Sequence, residues 1–112
     1  MTRVSNSKAL AFAGIVICTC AAFHLAALLI GGVHLSTLLF FPVGLIYMGF
    51  GRSYLNRSDL WVWPGLGFMI VGSLVVVVML CVGSALPAWW LKPIFWLDIV
   101  TGVCLIWYLV RR

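Results

Sequence analysis

Asp98 and His24 are the side chains in this sequence whose types and positions could do chemistry. Asp98 stands inside the apolar run from Ile94 to Val100, and the chain contains no glutamate. An Asp at mid-membrane costs at least about 2.5–3.5 kcal/mol on insertion scales, so such residues face a bundle interior or a wet cavity. His24 lies in another apolar run, Ala9 to Ile30. Counted inward from the outer end of its own run, each falls roughly 7–9 Å deep by helical rise. A direct Asp98–His24 hydrogen bond or ion pair is therefore within reach. Such a pair can relay protons, as acidic residues and histidines do in pumps. It can also join a polar group on another subunit, or lock two helices of one chain. Polar contacts between membrane helices commonly serve packing, and the packing readings lead.

A metal or haem site is the next chemistry to weigh. His24 and His34 flank the Gly31-Gly32 turn, and Cys18 and Cys20 lie deeper in the first run. Paired histidines ligate haem and thiolates take soft metals. The Cys18-Thr19-Cys20 spacing, however, sets the two thiols about 200° apart on a helix, so they cannot chelate one ion together. His34 falls at the interface, where water solvates it. No spacing matches a ligand motif, and neither cofactor nor metal is expected. The four cysteines, Cys18, Cys20, Cys81 and Cys104, read as small hydrophobes.

The elements that must position these residues follow from composition. Of 112 residues, 65% are hydrophobic and 8% charged, against about 25% charged in a soluble domain; mean hydropathy is +1.23. Nine charges cannot cover a soluble fold, which excludes a soluble enzyme, and the basic residues are too few and dispersed for nucleic acid. An all-α integral membrane protein is the expected class. The hydrocarbon core needs about 17–25 apolar residues per helix, and four runs qualify: 9–30, 34–50, 61–83 and 93–110. They form one domain over 1–112, expected as an antiparallel four-helix bundle. The first run is too long for a cleaved signal.

Charge sets the orientation. Arg3, Lys8, Arg52, Arg57, Arg111 and Arg112 fall on one side of the four spans and Lys92 alone on the other. The positive-inside rule then puts both termini in the cytoplasm, with a bacterial inner membrane as the expected host. Arg52, Arg57, Arg111 and Arg112 are placed to meet lipid headgroups. Trp61, Trp63, Trp89, Trp90 and His34 are interfacial candidates. Ser58-Asp59 reads as the N-cap of the third helix, with Pro64 in its first turn. Pro93 is read as opening the fourth helix, and Pro42 interrupts the bonding of the second.

Small residues mark the packing faces, because lipid leaves little hydrophobic drive between helices. Gly14, Cys18, Ala22 and Ala26 recur every four residues along the first span. Ala13, Cys20, His24, Ala27 and Gly31 form another strip, and Phe12, Val16, Phe23 and Ile30 are assigned to lipid. Gly65 and Gly72 share a face of the third span; Asp98, Thr101, Gly102 and Leu105 share one of the fourth. No catalytic constellation is present. The expected function is a small non-catalytic membrane subunit that packs against other membrane chains or itself. A proton- or ion-coupled transporter or channel using Asp98 and His24 is the alternative, and a haem- or metal-binding subunit a third.

Overall fold

The computed structural model describes residues 2–58, 60–83 and 86–111, with side chains from residue 8 onward except that at position 36. The described residues are helical throughout their length apart from short connections, with no strand among them. Five segments follow in order: α1 Thr2–Leu25, α2 Ala27–Gly31, α3 Leu35–Leu55, α4 Val62–Val82 and α5 Ala88–Arg111. A turn at Ala26 separates α1 from α2, an interruption the apolar run does not announce. Four stretches are long and apolar enough to cross a membrane: Lys8–Gly31, Thr37–Leu55, Val62–Val82 and Ala88–Arg111. Helix is what such sequences must form in lipid, where every backbone N–H and C=O needs a partner within the segment. The molecule is 46 Å along its longest axis, comparable to a bilayer of about 40–45 Å including headgroups.

Two boundaries differ from those read off hydropathy. The second span runs on to Leu55 rather than ending at Phe50, carrying Arg52 inside the helix. The fourth begins at Ala88 rather than Pro93, which leaves Pro93 within the helix and Trp89 and Trp90 in its first turn. Hydropathy reports where apolar residues stop, whereas backbone bonding persists as long as long basic side chains can reach the surface. The start of α4 is also corrected. Trp61 is its N-cap residue and makes no side-chain cap bond. The Ser58 hydroxyl instead accepts from the Leu60 N–H at 3.4 Å, while Asp59 lies outside the described residues.

Glycines end two helices where the backbone turns left-handed, at Gly32 (φ 73°) and Gly83 (φ 89°), the usual use of glycine at a C-terminus. After α3 the same turn is made by Arg57 at φ 61°. The Ser58 N–H reaches back to the Ser53 carbonyl at 3.0 Å to complete the cap.

α1 is the central helix, packing extensively on α3 and on α5; α4 packs on α5 and meets α3 through side chains rather than close backbone, Tyr47 and Phe50 reaching Phe68 and Tyr54 reaching Gly65. Among the buried positions of α1, which also include Gly14, Val16 and Ala21, one row runs Leu10, Ala13, Ile17, Cys20, His24 and, beyond the turn, Ala27. The row steps by three and four alternately, which holds a stripe on one side of a helix. Strict steps of four drift about 40° each. The stripe Gly14, Cys18, Ala22, Ala26 accordingly rotates out of the interface: Gly14 is buried, Cys18 and Ala26 half-buried, Ala22 exposed. Val16 is buried rather than lipid-facing.

Helices α1 and α3 come close through glycine. A Cβ on Gly14 would lie 2.9 Å from the Leu55 nitrogen and 3.0 Å from the Gly51 carbonyl, and one on Gly51 would collide with Cys18 Sγ. A Cβ on Gly65 of α4 would collide with the Tyr54 hydroxyl, which donates to the Trp61 carbonyl at 2.8 Å. Gly102 has more room, its nearest neighbour, Met69 Cβ, lying 3.6 Å from the Cβ position.

Two stability outcomes follow. A non-glycine residue in the left-handed region costs roughly 1 kcal/mol, so Arg57→Gly should raise unfolding stability in mixed micelles by about that much. Gly65→Ala should lower it, and adding Tyr54→Phe, which removes the colliding hydroxyl, should recover part of the loss in a double-mutant cycle. Independent additivity of the two changes would contradict this contact.

Candidate functional site: a buried polar cluster around Asp98

The polar centre lies where α1, α3, α4 and α5 converge. Asp98 is the eleventh residue of α5, near the middle of a 24-residue helix, and is 1% exposed. The sequence reading placed it five residues in, because it started the helix at Pro93. Five residues are about 7 Å of rise, more than one helical turn. That shift changes its partner. Asp98 is level with Cys20, and the Cys20 thiol donates to Asp98 Oδ1 at 3.2 Å.

His24 sits one turn along from Cys20 and does not bond Asp98. Its Nδ1 is 2.7 Å from the Cys20 carbonyl. A carbonyl only accepts, so Nδ1 carries the proton there. Cys20 Sγ lies 3.6 Å from the same nitrogen. The structure therefore brings Asp98 and His24 into one cluster, bridged by Cys20, rather than into a direct pair. Treating all four cysteines as small hydrophobes missed Cys20. The available signal was its i, i+4 spacing to His24, which puts both on one helical face.

Tyr47 is the other residue that sequence reasoning passed over. It is fully buried on α3, with its ring edge-on to His24 at 4.8 Å. Its hydroxyl is 3.4 Å from the Phe68 carbonyl on α4. A Cβ on Gly72 would lie 2.8 Å from this hydroxyl and 3.0 Å from Asp98 Oδ2. Gly72 thus lets the Tyr47 hydroxyl and Asp98 Oδ2 both close on the space a side chain would occupy. Asp98 Oδ2 is buried and has no hydrogen-bond partner among the described residues. Thr101, one turn along α5, satisfies its own hydroxyl on the Leu97 carbonyl at 2.8 Å.

Two grooves flank α4 at this level. One, of about 280 Å³, lies between α4 and α5 and includes Asp98 and Ser73 in an otherwise apolar lining. The other, of about 140 Å³, opens between α3 and α4 and is lined by His24, Phe40, Tyr47, Phe68 and Gly72 among others. Among the described residues no group of three His, Cys, Asp or Glu side chains is arranged to hold a metal ion. His34 is exposed and far from the cluster in role: it is the N-cap of α3, its N–H bonding the Thr37 hydroxyl at 3.0 Å.

The surface residues are dispersed. Trp61, Trp63 and Trp89 are exposed, whereas Trp90 is half-buried and stacks on Phe23 of α1 at 4.7 Å. Its indole N–H is buried without a partner among the described residues. Arg52, Arg57 and Arg111 are exposed, with the Arg111 guanidinium over the Trp107 ring at 4.4 Å; Arg112 lies outside the described residues. No protein-family model, curated protein or solved structure matches the chain.

The Cys20–Asp98 bond carries a stability prediction. Removing the donor strands a buried acceptor, at a cost of about 1 kcal/mol, since hydrogen bonds between membrane helices average below the values found in water. Cys20→Ala should therefore destabilise the bundle by about that amount in mixed micelles. Cys20→Ser, which keeps a donor, should cost less; equal losses would remove the bond from the account.

Proposed function

We propose that the protein is a small non-catalytic integral membrane subunit that works by helix packing, either against other membrane chains or against further copies of itself. In this reading its spans alternate direction as an antiparallel bundle in a bacterial inner membrane, with both termini cytoplasmic. Six of seven basic residues on one side support that orientation. The observation that carries the packing role is the position of α4. It is the most apolar span and the least enclosed, 22% buried against 39% for the first span. It packs on α5, while Val71, Leu74, Val75 and Val78 along it are exposed. Such a helix has surface to share with another helix in the membrane.

The test is native mass analysis of the protein extracted in lipid nanodiscs, with a reporter fused to each terminus for orientation. A defined homo-oligomer or complex with both reporters cytoplasmic is the expected result. A monomer at every concentration overturns the packing role, and a periplasmic terminus overturns the orientation.

The unpartnered oxygen of Asp98 favours a second reading, proton- or ion-coupled transport with Asp98 and His24 on the pathway. There, Asp98→Asn abolishes flux in liposomes; unchanged flux removes Asp98 from it.

A further inference from the structure

The groove between α3 and α4 sets a hydrogen-bond acceptor into an aromatic wall. His24 is 4% exposed, and its ring lines the groove. Nδ1 carries the proton, because it meets the Cys20 carbonyl at 2.7 Å. The neutral imidazole then keeps a bare lone pair on Nε2. In a planar five-membered ring that lone pair points nearly opposite to the Nδ1–H, away from the α1 backbone. Both polar contacts of the ring are made at Nδ1, so Nε2 has no partner among the described residues.

The rest of the wall is ring and hydrocarbon. Phe40 lies 5.1 Å and Tyr47 4.8 Å from the His24 ring, and Phe68 of α4 faces Tyr47 at 6.4 Å. Such a wall favours another ring, stacked offset or set edge-on. The space is about 140 Å³, close to the roughly 150 Å³ of an apolar cavity that takes up benzene. A single six-membered ring therefore fits. No carboxylate lines the groove, so a neutral donor suits the Nε2 lone pair better than a cation. A hydroxyl carried on the ring supplies that donor. The groove opens on the flank of α4, where Val71 and Val75 are exposed, so an alkyl tail has an apolar surface to follow.

We propose that the α3–α4 groove binds a membrane-dissolved phenol, its ring seated among Phe40, Tyr47 and Phe68 and its O–H donating to His24 Nε2. The size of the groove selects one ring, and His24 selects a ring that bears a donor. The inference goes beyond the packing role. It shares His24 with the transport reading but asks of it only a lone pair, and binding is measured without an ion gradient. Flux can therefore fail with binding intact, and binding can fail with flux intact.

The experiment uses the full chain in nanodiscs. Binding of 4-octylphenol is compared with that of 4-octyltoluene, in which a methyl of similar size replaces the hydroxyl, each corrected for its own partitioning into empty nanodiscs. The phenol should bind saturably and roughly threefold to tenfold tighter than the toluene. In protein labelled with nitrogen-15 at histidine, saturation with the phenol should move the His24 Nε2 resonance upfield, as happens when an imidazole nitrogen accepts a hydrogen bond, and the toluene should leave it in place. His24→Phe should abolish the preference for the phenol. Val75→Phe, at an exposed position of the groove, should weaken both probes severalfold by filling the space. Equal binding of the two probes by the unaltered protein, or an unmoved Nε2 resonance at phenol saturation, overturns the proposal, and neither result relies on any variant folding. A preference for the phenol that survives in folded His24→Phe protein, or phenol binding undiminished in Val75→Phe, overturns it equally.

Discussion

A carboxyl group in the middle of an apolar helix is the constraint around which this protein is arranged. Water cannot solvate Asp98 at 1% exposure, so its oxygens depend on what neighbouring helices bring. α1 brings the Cys20 thiol to Oδ1, and it can do so only by lying directly against α5. α3 brings Tyr47 toward the same point, and α4 passes it with Gly72, the residue that occupies least space. The central position of α1 between α3 and α5 is thus consistent with the chemistry at Cys20, midway along the Lys8–Gly31 span. Four helices meet at one level, and each contributes a different group there.

Away from that level the bundle is held by close approach. Gly14 and Gly51 let α1 and α3 approach at backbone distance, and Tyr54 spans the α3–α4 connection to the Trp61 carbonyl. Along α3 the buried row Thr37, Phe40, Gly44, Tyr47, Gly51 and Tyr54, with Phe50 buried beside it, steps by three and four, the same rhythm as the row on α1. This is the pattern expected of helices crossing at a shallow angle in a membrane. α4 departs from the arrangement. Held on α5, it meets α3 through aromatic side chains rather than close backbone, leaving a seam with aromatic walls. The tight contacts and the loose one have the same origin: small residues bring α1 and α3 together, while between α3 and α4 Phe50 and Phe68 meet ring to ring at 5.5 Å.

Much of the candidate site was present in the residues, but its connections were not. Asp98 and His24 stood out because charge and imidazole are rare in such spans. Their linkage through Cys20 did not, because it depends on depth, and depth depends on where α5 begins. Trp89 and Trp90 looked like an interfacial loop; as part of the helix they move Asp98 more than a turn inward. Tyr47 carried no signal at all, since a tyrosine in an apolar run is unremarkable until its hydroxyl finds a partner. The small-residue stripe of the first span shows the same limit. Spacing by four catches the eye in sequence, yet it rotates away from any single neighbour.

The sequence by itself determined that the chain is helical, that four stretches are long and apolar enough to cross a membrane, and that Asp98 is the acidic residue among them. These follow from composition and run length, which act on each segment separately. Which face of each helix is covered, that Cys20 rather than His24 meets Asp98, and that Tyr47 and Asp98 both close on Gly72 were decided only in three dimensions. The reason is physical: such contacts depend on the relative depth and rotation of separate helices. Shifting a helix by one turn changes every partner it has, while leaving its hydropathy untouched.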